Sequence, residues 1–206
     1  RASETSCARI TRFTAEHKTR SSRLPLFIAT LMSLSQITPT LFLSGADAPF
    51  NSALVSQKGI TLIVNATVSH ASPAYPGVEC VRVPVSDLPS ARLGDHFDRV
   101  AERIHLNRAG GTLVHCAAGM SRSPALVMAY LMRYRGVTLC QAHRWVQDRR
   151  PYVRLNAGFW EQLLQYEKRL YGKNIGVKYG VISYFLGVSG FRSAACPHVC
   201  SEADQA

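Results

Sequence analysis

Thr112-Leu113-Val114-His115-Cys116-Ala117-Ala118-Gly119-Met120-Ser121-Arg122-Ser123-Pro124 decides how the chain is read. Gly110 and Gly111 precede it, and Thr112 to His115 form a short apolar run of the kind that makes a buried strand. At the other end Ser123 is suited to cap a helix, with Pro124 at its first position. Strand and helix are joined by a tight loop containing Gly119. Successive loop amides and the positive end of the helix then converge on one point, an anion site of phosphate size. Arg122 adds a planar donor fork that grips two phosphate oxygens together. Cys116 points into that site, where amides, helix end and guanidinium all favour thiolate over thiol. A thiolate beneath a bound phosphate is an in-line nucleophile.

Outward from this loop, strands and helices alternate. Thr40 to Ser44 reads as a short strand, Asp47 to Lys58 as a helix begun by Ser44 or Asp47 and closed by Gly59, and Ile60 to Val64 as a buried central strand. Glu79 to Val83 is a further strand, ended by Pro84. Between Asp95 and Asn107, Phe97, Val100, Ala101 and Ile104 recur at helical spacing. Ser123 to Tyr134, Thr138 to Arg149 and Asn156 to Tyr171 are predicted helices, with Ser123, Thr138 and Asn156 as N-caps and Gly136 and Gly172 as breakers. The predicted fold class is α/β, a central, mainly parallel sheet of about five strands flanked by helices.

The 206 residues, 47% hydrophobic, suffice for one compact unit with tails and are too few for two ordinary domains. The longest apolar run, Leu24 to Leu34, is broken by Pro25 and falls short of the roughly 20 residues that span a bilayer. No transmembrane segment is predicted. The net charge of +11 is spread out: six Lys/Arg against two acids over 1–36, fifteen against nine over 37–172, and three against two over 173–206. Without a dense basic block, zinc-finger spacing or an RNA-recognition aromatic motif, this reads as solubility with some steering of anions, and no nucleic-acid partner is expected. The six cysteines, at 7, 80, 116, 140, 196 and 200, follow no disulfide framework, so free thiols in a reducing compartment are expected. Cys196, His198 and Cys200 lack a second ligand pair, and an unstructured tail is favoured over a zinc site; no metal and no cofactor is predicted.

Residues 1–36 are read as an N-terminal extension without fixed structure, 37–172 as the folded unit and 173–206 as a C-terminal tail. The chain opens on Arg1 rather than Met, as expected of a fragment, a processed chain or a gene-model product. Residues 1–23 loosely resemble a mitochondrial transit peptide, but Glu4 and Glu16 interrupt the pattern, and a disordered extension is favoured.

His115-Cys116-x5-Arg122-Ser123 resembles the signature of cysteine-based protein phosphatases, and its particular form is similar to that of the dual-specificity subfamily, closest to its small atypical members. The resemblance runs from Ile37 to Gly172 and includes Ile63 to Thr67, Val83 to Asp87, Ala129 to Met132 and Asn156 to Trp160. It implies the cysteine-phosphatase fold and hydrolysis of phosphotyrosine, phosphoserine and phosphothreonine on proteins through a phosphocysteine. Residues 117–122, Ala117, Ala118, Gly119, Met120, Ser121 and Arg122, would hold the phosphate. His115 would hydrogen-bond and hold the loop, Ser123 would help expel the thiolate, and Asn156 would brace the phosphate loop, with Leu155 where the family has proline.

Cleavage also needs a proton donor for the departing oxygen. In the family this is an upstream Asp, and Asp87, 29 residues before Cys116 in Val83-Pro84-Val85-Ser86-Asp87-Leu88-Pro89, fits; Asp95 and Asp98 fall on a helix. The larger tyrosine-specific phosphatases carry a tyrosine-bearing recognition loop that nothing before Ile37 matches, which implies a shallower cleft. Neutral Ala117, Ala118 and Met120 stand where relatives acting on inositol lipids place lysines, and the loop also differs from those of RNA 5′-triphosphatases. The implied partners are phosphorylated proteins, MAP kinase pathway components among them, in the cytoplasm and nucleus. The alternative from another class is a non-catalytic phosphoprotein-binding adaptor, which would be expected to lack Cys, Arg or acid.

Overall fold

The computed structural model describes residues 34–175. The basic stretch 1–23, the apolar run up to residue 33 and the Cys196 to Cys200 group lie outside the described residues. Five strands, β1 Ser35–Thr38, β2 Leu41–Ser44, β3 Ile60–Asn65, β4 Glu79–Arg82 and β5 Gly111–His115, pair in the order β1-β2-β5-β3-β4. All neighbours run parallel except β1, which is antiparallel to β2 at the edge. This is the mainly parallel sheet predicted. The sequence reading has no counterpart for β1: Ser35-Gln36-Ile37-Thr38 contains one strongly apolar residue, Ile37, buried to 2% exposure, and only its pairing with β2 marks it as a strand.

The helices are α1 Ser52–Gln57, α2 Phe97–Leu106, α3 Arg122–Arg135, α4 Leu139–Arg149 and α5 Ala157–Tyr171. The single helix predicted from Asp47 to Lys58 is two elements, a 3₁₀ turn at Ala48–Phe50 and then α1. Asn51 separates them in an extended conformation, because its side chain accepts from the Leu54 amide at 3.0 Å and so makes a cap rather than a helix interior. Thr138 and Gln141 close a reciprocal capping box on α4, and Asn156 accepts from the Phe159 amide to cap α5.

Leu41 and Leu43 of β2 face the main core, while Phe42 faces the other side of the sheet with Val55, Ile63 and Leu113. α3 runs through the middle of the main core, and every residue from Arg122 to Met132 is buried. Because β2, β5, β3 and β4 are parallel, Ser44, His115, Asn65 and Arg82, the last residues of their strands, all lie at the C-terminal end of the sheet. The loops that follow them gather there, as binding loops do in open α/β sheets.

Candidate active site

Cys116 follows β5 and is 1% exposed. Its Sγ accepts hydrogen bonds from the Gly119 amide and from the Ser123 hydroxyl, each at 3.2 Å. Gly119 has φ 68°, and a Cβ there would stand 2.6 Å from both an Arg150 guanidinium nitrogen and the Ser44 carbonyl oxygen. Conformation and space both require glycine. One expectation is corrected here. α3 begins at Arg122, Ser121 occupies the cap position without a side-chain cap bond, and Ser123 lies inside the first turn. The Ser123 hydroxyl is drawn to the sulfur instead, and Pro124 is accommodated because first-turn amides have no intrahelical acceptor.

Asp87 comes from the loop after β4, and donors from two other elements meet it. The Ser121 hydroxyl and the Asn156 amide nitrogen donate to Oδ1 at 2.7 and 2.9 Å, and Arg122 Nε stands 3.5 Å from Oδ2. Arg122, 9% exposed, also donates to the Val85 carbonyl at 3.2 Å. Its Nε has no partner at hydrogen-bond geometry, so part of the fork is uncommitted. The two rival acids are engaged away from the thiol: Asp95 pairs with Arg92 at 2.9 Å, and Asp98 accepts from Arg133, Arg169 and Tyr166.

His115 is fully buried, and neither ring nitrogen meets a partner at hydrogen-bond geometry. Burial is the main cause that pushes its pKa down to about 4, with the Cys116 main chain pulling partly the other way and the charges of His70 and Arg82 adding to the depression. The imidazole is therefore neutral at physiological pH. The ring lies against the Cys116 main chain, and the His115 carbonyl accepts from the Ala66 amide at 2.8 Å, a further tie between β5 and the end of β3. Asn156, expected against the phosphate loop, reaches it through Asp87 and Ser121. Leu155, buried to 3%, leaves the cap geometry of Asn156 intact.

Two contributors escape the sequence reading. Arg150, fully buried at the end of α4, donates to the Gly119 carbonyl at 2.7 Å and the Ala118 carbonyl at 3.0 Å. Gly158 in α5 lies against the Pro89 carbonyl, where a Cβ would come within 1.8 Å. Arg150-Pro151 reads locally as the end of a helix, and Gly158 as a flaw in one; neither carries a local sign of its partner.

A loop of this kind, with a thiol at its base and an acid brought against its arginine from the loop after β4, is the arrangement of the cysteine-based phosphatases. The family model for the dual-specificity phosphatase catalytic domain matches residues 41–169, and the chain belongs to that family. It is 49% identical over 146 residues to dual specificity protein phosphatase 18 of Mus musculus, covering 70% of this chain and 78% of that one. Against dual specificity protein phosphatase 14 of Homo sapiens the identity is 45% over 155 residues, covering 72% and 78%. A mouse putative dual specificity phosphatase, solved in complex with zinc tungstate, superposes with a TM-score of 0.66 at 38% identity over 68% of this chain and 90% of that one.

Proposed function

We propose that this dual-specificity phosphatase hydrolyses phosphotyrosine, phosphoserine and phosphothreonine on proteins through a phosphocysteine formed on Cys116. The observation that carries the reading is the convergence of a loop amide and the Ser123 hydroxyl on the Cys116 sulfur. The phosphate binds against the loop amides and the Arg122 fork. The thiolate attacks phosphorus in line, the bond to the leaving oxygen breaks, and that oxygen takes a proton from Asp87. In the second step Asp87, now a carboxylate, takes a proton from water as the water oxygen attacks phosphorus. The sulfur–phosphorus bond breaks, and the Ser123 hydroxyl stabilises the departing thiolate.

The mouse relative was solved with zinc tungstate, and tungstate is a tetrahedral oxyanion like phosphate, which is in keeping with binding of a phosphate-like anion by this chain. Ala117 and Ala118 are exposed on the loop and uncharged, which favours phosphoproteins over highly charged inositol lipids or nucleic acid. MAP kinase pathway components, in the cytoplasm or nucleus, are the candidate substrates that the family resemblance supplies. The test is Cys116→Ser, which keeps the amides but puts a far weaker nucleophile in place of the thiolate. Turnover of p-nitrophenyl phosphate and of phosphopeptides is expected to fall below about 1% of wild type, since a serine hydroxyl is a far weaker nucleophile than the thiolate. Phosphate affinity is retained, and the wild-type rate is unchanged by EDTA. Residual activity well above that level overturns the assignment, and phosphoproteins retained by the Cys116→Ser protein identify substrates.

A further inference from the structure

We propose that Arg150 is a positioning residue for this reaction, holding the two central peptide planes of the 116–121 loop so that their N–H groups face the bound anion. The proposal rests on the phosphatase reading above and adds a residue to it. Four consecutive loop carbonyls are bonded outwards. Ala117 O accepts from the Ala46 amide at 3.0 Å, and Met120 O from the Arg154 amide at 2.9 Å. Between them, Ala118 O and Gly119 O accept from Nη2 and Nε of the single Arg150 guanidinium.

None of the described peptide bonds is cis, and in a planar trans unit the carbonyl and the next N–H point in opposite directions. Fixing those four carbonyls therefore turns the N–H groups of Ala118, Gly119, Met120 and Ser121 the other way. One plane shows both ends: the Ala118 carbonyl is on Arg150, and the Gly119 N–H is on the Cys116 sulfur. The outer two planes are held by main-chain amides that the fold supplies. The central two depend on one side chain.

The surroundings of Arg150 fit that task. It has no exposed surface, and its guanidinium also donates to Ser35 Oγ of β1 at 3.3 Å and lies 5.3 Å from the Tyr152 ring centre. Burial lowers its pKa, and the charges of Tyr152, Cys116 and Asp47 offset this in part. A buried cation is costly unless its donors are matched, and the loop carbonyls match them. A lysine ammonium is a point donor without the planar fork that spans two adjacent carbonyls.

Arg150→Lys and Arg150→Met in the full chain test this, with thermal midpoint, kcat and KM on p-nitrophenyl phosphate, and calorimetric Kd for inorganic phosphate as readouts. Both variants are expected to weaken phosphate binding and raise KM by about 10- to 100-fold, the worth of a lost charge-assisted hydrogen bond, with lysine giving no rescue. A merely structural role would lower the thermal midpoint and the fraction of active enzyme, hence the apparent kcat, and leave KM and Kd alone. The proposal is overturned if the folded Lys variant keeps both constants within about twofold of wild type, a change typical of an uninvolved side chain. It is equally overturned if neither variant folds, because Arg150 then holds the domain rather than the loop. Should the wild-type protein bind phosphate yet fail to hydrolyse it, the catalytic reading falls while phosphate affinity still reports on Arg150.

Discussion

Asp87 Oδ1 receives two donors, from Ser121 and Asn156, and both of its lone pairs are thereby taken. If Asp87 is the proton donor, as proposed, the proton it gives up rides on Oδ2, the oxygen facing Arg122. The guanidinium and this oxygen face one another at 3.5 Å, and on the proposed mechanism the phosphate engages the fork and leaves Oδ2 to the departing group. Asp87→Asn can keep its amide oxygen in the Oδ1 position, so the substitution removes a proton and little geometry. It is expected to cost 10²–10⁴-fold, order of magnitude, in kcat on phosphotyrosine peptides, and much less on aryl phosphates whose phenols leave unprotonated. Asp95→Asn and Asp98→Asn, on residues engaged elsewhere, should leave both substrates nearly unaffected. A leaving-group dependence that follows either control instead of Asp87 would move the acid.

α5 approaches the acid loop so closely that only glycine fits at 158, and this contact ties the elements carrying Asn156 and Asp87 together. Gly158→Ala drives a methyl group into the Pro89 main chain, and overpacking of this kind costs about 1–3 kcal/mol. We expect a lower thermal midpoint and, because the displaced backbone is two residues from Asp87, a greater loss on phosphotyrosine than on acidic aryl phosphates. Equal losses on both substrates would show that the contact supports the fold without supporting the acid. At this scale, local signals were legible in the sequence: periodic apolar residues in α2, and caps at Thr138 and Asn156. Where two local signals compete, the reading went astray. Ser123 looks like a cap until the Cys116 sulfur claims its hydroxyl, and 47–58 looks like one helix until Asn51 folds back on Leu54.

At the scale of the whole molecule, two buried histidines among the described residues are expected to weaken stability in acid. Burial holds both His115 and His143 at about 4, below the ordinary 6.5 of the unfolded chain. Between those values the unfolded chain binds more protons, so stability present near neutrality is lost as pH falls, by about 3 kcal/mol per histidine at pH 4. The urea midpoint is expected to drop steadily from pH 7 to pH 5, and His143→Phe, which keeps an aromatic ring against Trp160, should flatten part of that slope. The parts of the site legible in the sequence are those packed into the 115–124 stretch, where spacing alone implies an anion cradle. Asp87 needed a family resemblance, and Arg150 could not be found, because its partners are 31, 32 and 115 residues away. That same separation orders events during synthesis. Arg150 and Asn156 leave the ribosome 34 and 40 residues after Cys116, a delay of about 2–8 s at ordinary elongation rates. On the proposed roles of Arg150 and Asn156, the nascent chain carries Cys116 on an unclamped loop until α4 and α5 have been made and have docked.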